Sequence, residues 1–330
     1  MDIAEIEKLP VFFIIGRPRS GTTLIRILFD AHPKVHIPLE CQIIPGLYPY
    51  FGKKTNWTRK DILNFYHKVI NSTLFGHWNI DLDYLKNTLL EFQGNHKYQT
   101  LCKAVYLCYQ SYFEKSDIQF IADKTPNNTK HIYLLAKLFP EAKFIFITRD
   151  YRDNILSIKK AVFGSNNIFQ LAFLWKKNWE LVTKFTKENP LKVYTIRYED
   201  FVKSPQQSFR DMCNFIGIKY YDEVFNFHQQ KEKFYSHYGK ENLNRVHGNL
   251  FNPINPNLIY GWKTKMSKHQ IQITDYIIGN VAEKANYKRM YYQFNPLFKL
   301  YVKLNILLIL IKLTTLKKLN SILPTKKRLF

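Results

Sequence analysis

The chain has 330 residues, of which 46% are apolar and 16% aromatic, so it carries enough material for one large α/β domain or two smaller ones and is not a disordered chain. Forty-nine lysines and arginines stand against 26 aspartates and glutamates, a net charge of +23, which suits a polyanionic small molecule, an anionic membrane surface or nucleic acid. Cys41, Cys102, Cys108 and Cys213 form no C-x-x-C pair and have no nearby histidine at ligand spacing. That excludes a disulfide scaffold and a cysteine-built metal centre; the cysteines read as reduced, buried thiols, and no metal is expected. The chain runs almost directly into its first strand without a charged-then-apolar leader, so a cytoplasmic location is expected, and the three N-x-[ST] matches at Asn56, Asn71 and Asn127 are read as chance.

Val11 to Ile15 is a continuous apolar run bounded by Gly16 and Pro18 and reads as a buried strand. Gly16 to Thr22 is a tight loop with two glycines and the basic residues Arg17 and Arg19, and Thr22 to Phe29 has apolar residues at helical spacing. Strand, glycine-rich loop and helix together aim backbone N–H groups and a helix N-terminus at an anion. The loop resembles the nucleotide-binding P-loop, G-x-x-x-x-G-K-[ST], in Gly16 and Gly21, but Thr22 stands where that pattern has lysine. The substitution points away from a nucleoside triphosphatase and toward another phosphate-bearing donor. Pro18-Arg19-Ser20-Gly21-Thr22-Thr23-Leu24, followed by Asp30-Ala31-His32-Pro33, resembles the 5′-phosphosulfate loop of the sulfotransferases that use 3′-phosphoadenosine 5′-phosphosulfate (PAPS). The local match is nearest to the tyrosylprotein sulfotransferase group. It implies that Arg17, Arg19, Ser20, Gly21, Thr22 and Thr23 hold the 5′-phosphosulfate, with Arg19 also acting in the chemistry.

After a short strand at Val35–Ile37, the loop Pro38–Gln42 follows. In the tyrosylprotein group the segment after D-A-H-P carries the catalytic glutamate, and the ungapped match puts it on Glu40, which would take the acceptor hydroxyl proton. His36 is the competing base, because many other sulfotransferases use histidine. Where that group places arginines that grip acidic peptides, this chain has Gln42 and Gly46, which disfavours an acidic-peptide acceptor. Residues 48–116 carry no catalytic motif; helical spacing at 61–70, 82–92 and 99–113 makes them a helical insertion on the acceptor side, rich in aromatics.

Phe120–Ala122 reads as a strand leading into Asp123-Lys124-Thr125-Pro126. A lysine at a strand's C-terminal end sits where open α/β sheets bind ligands. The resemblance gives Lys124 the transferring sulfuryl group and the leaving oxygen, whose developing charge a fixed ammonium stabilises. Helix His131–Leu138 and strand Lys143–Thr148 precede Arg149-Asp150, and a helix beginning at Ile155 contains Ser157. The pattern F-P-x-A-K-F-I-F-I-x-R-D…S matches the family's 3′-phosphate segment, so Arg149 and Ser157 are expected to hold the 3′-phosphate. Ile168–Lys187 reads as a long helix, Val193–Ile196 as a strand, and Arg197-Tyr198-Glu199-Asp200-Phe201 resembles a family segment whose tyrosine approaches the donor. A helix from Ser204-Pro205 ends at Gly217, a mobile polar loop is expected over 228–258, and Gly261-Trp262-Lys263 resembles the late segment that folds over the nucleotide, giving Lys263 a contact to it.

The expected fold is α/β of the P-loop-containing nucleotide-binding type, a parallel sheet flanked by helices, with residues 1–294 as the sulfotransferase domain and 295–330 as a basic, apolar tail. The tail's run Leu304–Ile311, flanked by lysines, is too short to span a bilayer and either lies on an anionic membrane or packs on the domain. The implied activity is in-line sulfuryl transfer from PAPS to a hydroxyl. Aromatic richness leans toward a lipid-like or sterol-like alcohol, with a saccharide close behind. The rivals are a P-loop kinase or nucleotidase and a non-enzymatic basic protein bound to membrane or nucleic acid. The chain has no nucleic-acid motif and its basic residues cluster only at the tail, so nucleic acid is not expected.

Overall fold

The computed structural model describes residues 1–161, 166–232, 254–256 and 259–322, without the side chains of 316–322. Two compact units emerge: residues 1–149 with 182–257, and residues 150–181 with 258–330. The expected loop over 228–258 lies mostly outside the described residues.

The first unit is built on a five-stranded sheet. In chain order its strands are β1 (Val11–Gly16), β2 (Val35–His36), β5 (Phe120–Asp123), β6 (Lys143–Thr148) and β7 (Val193–Arg197). A separate antiparallel pair, β3 (Asn56–Trp57) and β4 (Gly94–Asn95), lies in the insertion. The large sheet runs in the order β2-β5-β1-β6-β7 with every neighbour parallel. Parallel strands covered on both faces are apolar throughout, and β1 is buried at all six positions. Phe12 packs edge-on to Phe29 at 4.9 Å, and Phe13 stacks on Phe144 at 5.4 Å. Each such fully buried side chain contributes about 1.5–3 kcal/mol of apolar burial.

Helix α1 (Ile3–Lys8) precedes β1, so the chain does not go straight into the sheet: a reciprocal capping box between Asp2 and Glu5 starts this short helix. Helix α2 (Thr22–Ala31) follows the glycine-rich loop, and α3 (Ile43–Phe51), α4 (Arg59–Ile70), α5 (Leu82–Leu90) and α6 (Tyr98–Leu107) make up the insertion. Helix α6 stops six residues short of the expected Phe113, because tertiary partners take over. The Gln110 N–H donates to the Asn79 carbonyl at 2.8 Å, and the Ser111 hydroxyl donates to Asp30 at 2.7 Å. The insertion's aromatics pack on one another: Phe51 stacks on Trp57 at 5.7 Å, and Phe65 meets both edge-on. Helix α7 (Ile132–Leu138) leads into β6, and α10 (Tyr198–Lys203) and α11 (Pro205–Ile216) follow β7. All four cysteines are buried and free.

The second unit holds α8 (Tyr151–Lys160), the part of α9 (Ile168–Glu188) up to residue 181, α12 (Trp262–Lys265), α13 (Lys268–Ile278), α14 (Val281–Lys284) and α15 (Pro296–Ile322). Helix α8 begins four residues before the expected Ile155, because the Asp150 carboxylate caps it by accepting from the Arg152 N–H. The unit's core gathers Tyr151, Ile155, Trp175, Ile278 and Val302. Among the described residues, no helix is long and apolar enough to cross a membrane.

At Gly16 backbone and packing both demand glycine: its φ is +151°, and a Cβ there would meet the Ile147 carbonyl oxygen at 2.4 Å. Replacing it with alanine is therefore expected to destabilise the chain by more than about 1 kcal/mol, measured as a lowered urea midpoint. A neutral G16A would mean that β1 and β6 are free to separate.

Candidate active site

The five parallel strands end on one edge of the sheet, and each C-terminal end delivers a candidate residue. The glycine-rich loop follows β1, Glu40 follows β2, Lys124 follows β5, Arg149 follows β6 and Tyr198 follows β7. Ligands of open α/β sheets bind at this edge, where the strand order reverses; here β1 lies between β5 and β6.

The loop is fixed from below. The Gly16 N–H donates to Thr129 Oγ1 at 3.0 Å, and that hydroxyl donates to the Pro126 carbonyl at 2.9 Å. Arg19 adopts a left-handed φ of 66°, and Gly21, with φ +99°, stands at the N-cap of α2. A Cβ on Gly21 would lie 2.5 Å from the Tyr198 ring, so the loop needs glycine there to pass the aromatic. The first N–H groups of α2 have no acceptor within the helix and carry its positive dipole end. Ser20 and Thr22 are buried beside them.

Positive charge is concentrated around this loop. Burial pushes the Arg17 guanidinium down to about 9. Burial and the neighbouring Arg149 charge both pull Arg19 down, with Tyr198 opposing. Arg149 Nη1 donates to the Arg19 carbonyl at 3.4 Å, and the Arg149 guanidinium lies 4.6 Å from the centroid of the Tyr198 ring. Like charges crowded in a partly dry site make a receptor for anions, because a bound phosphate relieves the repulsion.

Lys124, buried at 3% exposure, is ion-paired through Nζ with Glu40 Oε1 and lies 3.3 Å from Thr23 Oγ1. Burial pulls its ammonium down, while the Glu40 carboxylate pulls it back up. One ammonium thus links the start of α2 to the carboxylate. The Glu40 loop is held on both sides. Before it, Arg26 donates to the Ile37 carbonyl at 3.1 Å and the Pro38 carbonyl at 3.3 Å while ion-paired with Asp30 at 3.0 Å. After it, the Cys41 N–H donates to Thr125 Oγ1 at 3.3 Å, and the Thr125 hydroxyl donates to the Cys41 carbonyl at 3.1 Å. Sequence reading missed Arg26, Thr125 and Thr129 as positioning residues; the i,i+4 spacing of Arg26 and Asp30 was the available signal.

Ser157 and Lys263 belong to the second unit and Arg149 to the first. Ser157 is half-buried on α8, and Lys263 is exposed on α12 with its Nζ 5.3 Å from the Tyr260 ring centroid. In that unit Arg152 is clamped by Asp150 through bonds of 2.9 and 2.8 Å and lies 3.6 Å over the Trp262 ring. Among the described residues no cluster of metal-ligating side chains occurs.

The model of the Sulfotransferase family matches residues 10–223. The chain belongs to this family and is a sulfotransferase; enzymes of the family take their sulfuryl group from PAPS. It is 28% identical over 273 residues to protein-tyrosine sulfotransferase 1 of Danio rerio, covering 78% of this chain and 67% of that one. It is 27% identical over 266 residues to protein-tyrosine sulfotransferase A of Caenorhabditis elegans, covering 77% of this chain and 61% of that one. The chain thus spans about two thirds or less of the length of these relatives. In fold it is similar to the sulfotransferase domain of the Synechococcus PCC 7002 olefin synthase, with a TM-score of 0.57 at 18% identity over 84% of this chain and 95% of that one.

His36, the rival base, sits in β2 at 4% exposure with Nε2 2.9 Å from the Tyr106 carbonyl. A carbonyl only accepts, so Nε2 carries the proton. Burial, assisted by the Lys115 charge, pushes the imidazole down to about 4. Between about pH 6.5 and about pH 4 the unfolded chain therefore binds a proton that the folded ring refuses, and stability is lost as pH falls through that window. H36Q keeps a donor and cannot titrate. The wild type is expected to lose about 3 kcal/mol more than H36Q between about pH 7 and about pH 4, read from urea melts. Parallel pH profiles would mean that the ring charges freely inside the fold.

Proposed function

We propose that the chain transfers a sulfuryl group from PAPS to a phenolic hydroxyl, a tyrosine of a polypeptide, with Glu40 as general base and Lys124 at the leaving oxygen. The observation that carries this reading is the contact of Lys124 Nζ with both Glu40 and Thr23, which puts an acid–base pair at the mouth of an anion-binding loop. In the proposed step the acceptor oxygen attacks sulfur in line, and its proton passes to the Glu40 carboxylate. The bond from sulfur to the bridging oxygen breaks toward 3′-phosphoadenosine 5′-phosphate. Lys124 stabilises the charge that collects on that oxygen, in a site dry enough to strengthen the attraction. Arg17, Arg19, Ser20 and the N–H groups of Gly21, Thr22 and Thr23 take the 5′-phosphosulfate, and Arg149, backed by Tyr198, takes the 3′-phosphate. Ser157 and Lys263 are assigned to the donor on sequence resemblance.

The tyrosine acceptor is supported by the protein-tyrosine sulfotransferases among the relatives. Of the aromatic residues that pointed to a lipid-like or sterol-like alcohol, Phe51, Trp57 and Phe65 pack into the insertion's own core, so they lend an apolar acceptor little support. Gln42 and Gly46 in place of arginines favour a peptide whose flanks are not strongly acidic.

Calorimetric binding of 3′-phosphoadenosine 5′-phosphate is expected to weaken about 10- to 100-fold in R149A, the loss of a charge-assisted bidentate contact, with ATP binding less tightly than the bisphosphate. Equal or tighter binding of ATP would show that the second phosphate site is misread. With labelled donor, E40Q is expected to retain bisphosphate binding and lose about 10²- to 10⁴-fold in turnover on a tyrosine peptide. Label appearing instead on a sterol or a saccharide would overturn the acceptor and leave the donor standing.

A further inference from the structure

Helix α15 is apolar on two opposite faces, and only one of them is covered. Val302 and Ile309 belong to the core of the second unit, with Phe298, Ile306 and Leu313 packed against it. Those five recur at intervals of three and four residues, one stripe of a helix. The opposite stripe, Leu297, Leu300, Leu304, Leu307, Leu308 and Ile311, lies open; Leu297 is 80% and Leu308 65% exposed. The apolar content that suggested a helix packed on the domain accounts for half of the helix.

Contiguous exposed leucines mark a surface that something covers. The flanking charge says what. Lys299, Lys303 and Lys312 are exposed, and by helical spacing they fall along the margins between the two stripes. Eleven lysines and arginines and no aspartate or glutamate follow Glu283. A neutral apolar partner would leave that charge without a purpose, and a second copy of this helix would set it against itself. In the same unit, a groove of about 560 Å³ carries Lys176, Lys177 and Lys303, with the single carboxylate Glu180 paired to Lys177, beside Phe173, Ile306 and Leu307. We infer that the outer face of α15 lies on an anionic lipid surface, its leucines in the acyl boundary and its lysines at the headgroups.

The test is sedimentation of the full chain with vesicles of phosphatidylcholine alone or mixed with phosphatidylserine. Binding to the mixed vesicles is expected to be about tenfold or more stronger and to fall as salt is raised. L304Q/L308Q, altered only at exposed positions, is expected to keep its circular dichroism and thermal transition and to lose vesicle binding. Equal or no sedimentation with the two compositions would overturn the inference, as would a double variant that binds as well as the wild type. So would a dimer, seen by light scattering, that L304Q/L308Q dissociates while neither protein binds vesicles, since the face would then belong to a second copy.

Discussion

The pairing of β1 with β5 on one side and β6 on the other is the constraint on which the catalytic edge depends. Phe13 is in register with Asp123, and Gly16 with Ile147. Lys124 therefore leaves the sheet three residues below the start of the loop, while Arg149 leaves it level with the loop on the far side. Lys124 can then meet the beginning of α2 from one flank as Arg149 meets the loop's backbone from the other. A slip of one residue would turn every side chain of β1 to the opposite face and undo the packing of Phe12 on Phe29 and of Phe13 on Phe144.

That edge is electrostatically expensive. Lys124, Asp123, Arg26 and Asp30 are each 3% exposed or less, and buried ions recover their desolvation cost only when paired and hydrogen-bonded. The chain meets this by sharing. Asp30 accepts from Arg26 and Ser111 and lies 3.4 Å from the Lys115 ammonium. Asp123, which burial pushes up to about 6 against the pull of hydrogen bonds from Tyr106 and Asn128, sits next in sequence to Lys124. Apolar replacements of similar volume would stabilise such sites as well or better. In the proposed reaction a fixed ammonium and a fixed carboxylate have a use that apolar replacements lack, since one oxygen loses a proton and another gains negative charge.

What was legible in the sequence follows from how local each feature is. The strands β1, β5 and β6 are short apolar runs with turn residues after them, and the glycine-rich loop announces itself by spacing, so the sheet and its anion-binding edge could be read directly. Glu40 was reachable only by matching a family segment, since a lone loop glutamate carries no signature. Helix α3, which carries Pro45 and Pro49, was not among the expected helices. Pro45 falls in the first turn, where its missing N–H costs nothing, and the Tyr98 hydroxyl donates to the Ile44 carbonyl at 2.8 Å, tying α3 to α6. Thr125 and Thr129 act through Cys41 and Gly16, 84 and 113 positions away, and no window of sequence contains such a pair.

Two uses of positive charge account for much of the basic composition, and they differ in physics. At the strand ends a few cations are buried, oriented by Tyr198, Glu40 and backbone, and crowded enough to perturb one another; their value lies in preorganisation for a multiply charged small molecule. Beyond Glu283 the cations are more numerous, and those of α15 with described side chains are exposed. Charges of that kind are screened within about 10 Å at moderate salt, so they act together only on an extended partner that many of them reach at once. On the proposed reading a small donor engages the first set and has no use for the second. A flat, anionic surface engages the second, and the open leucine stripe of α15 gives it hydrocarbon to hold.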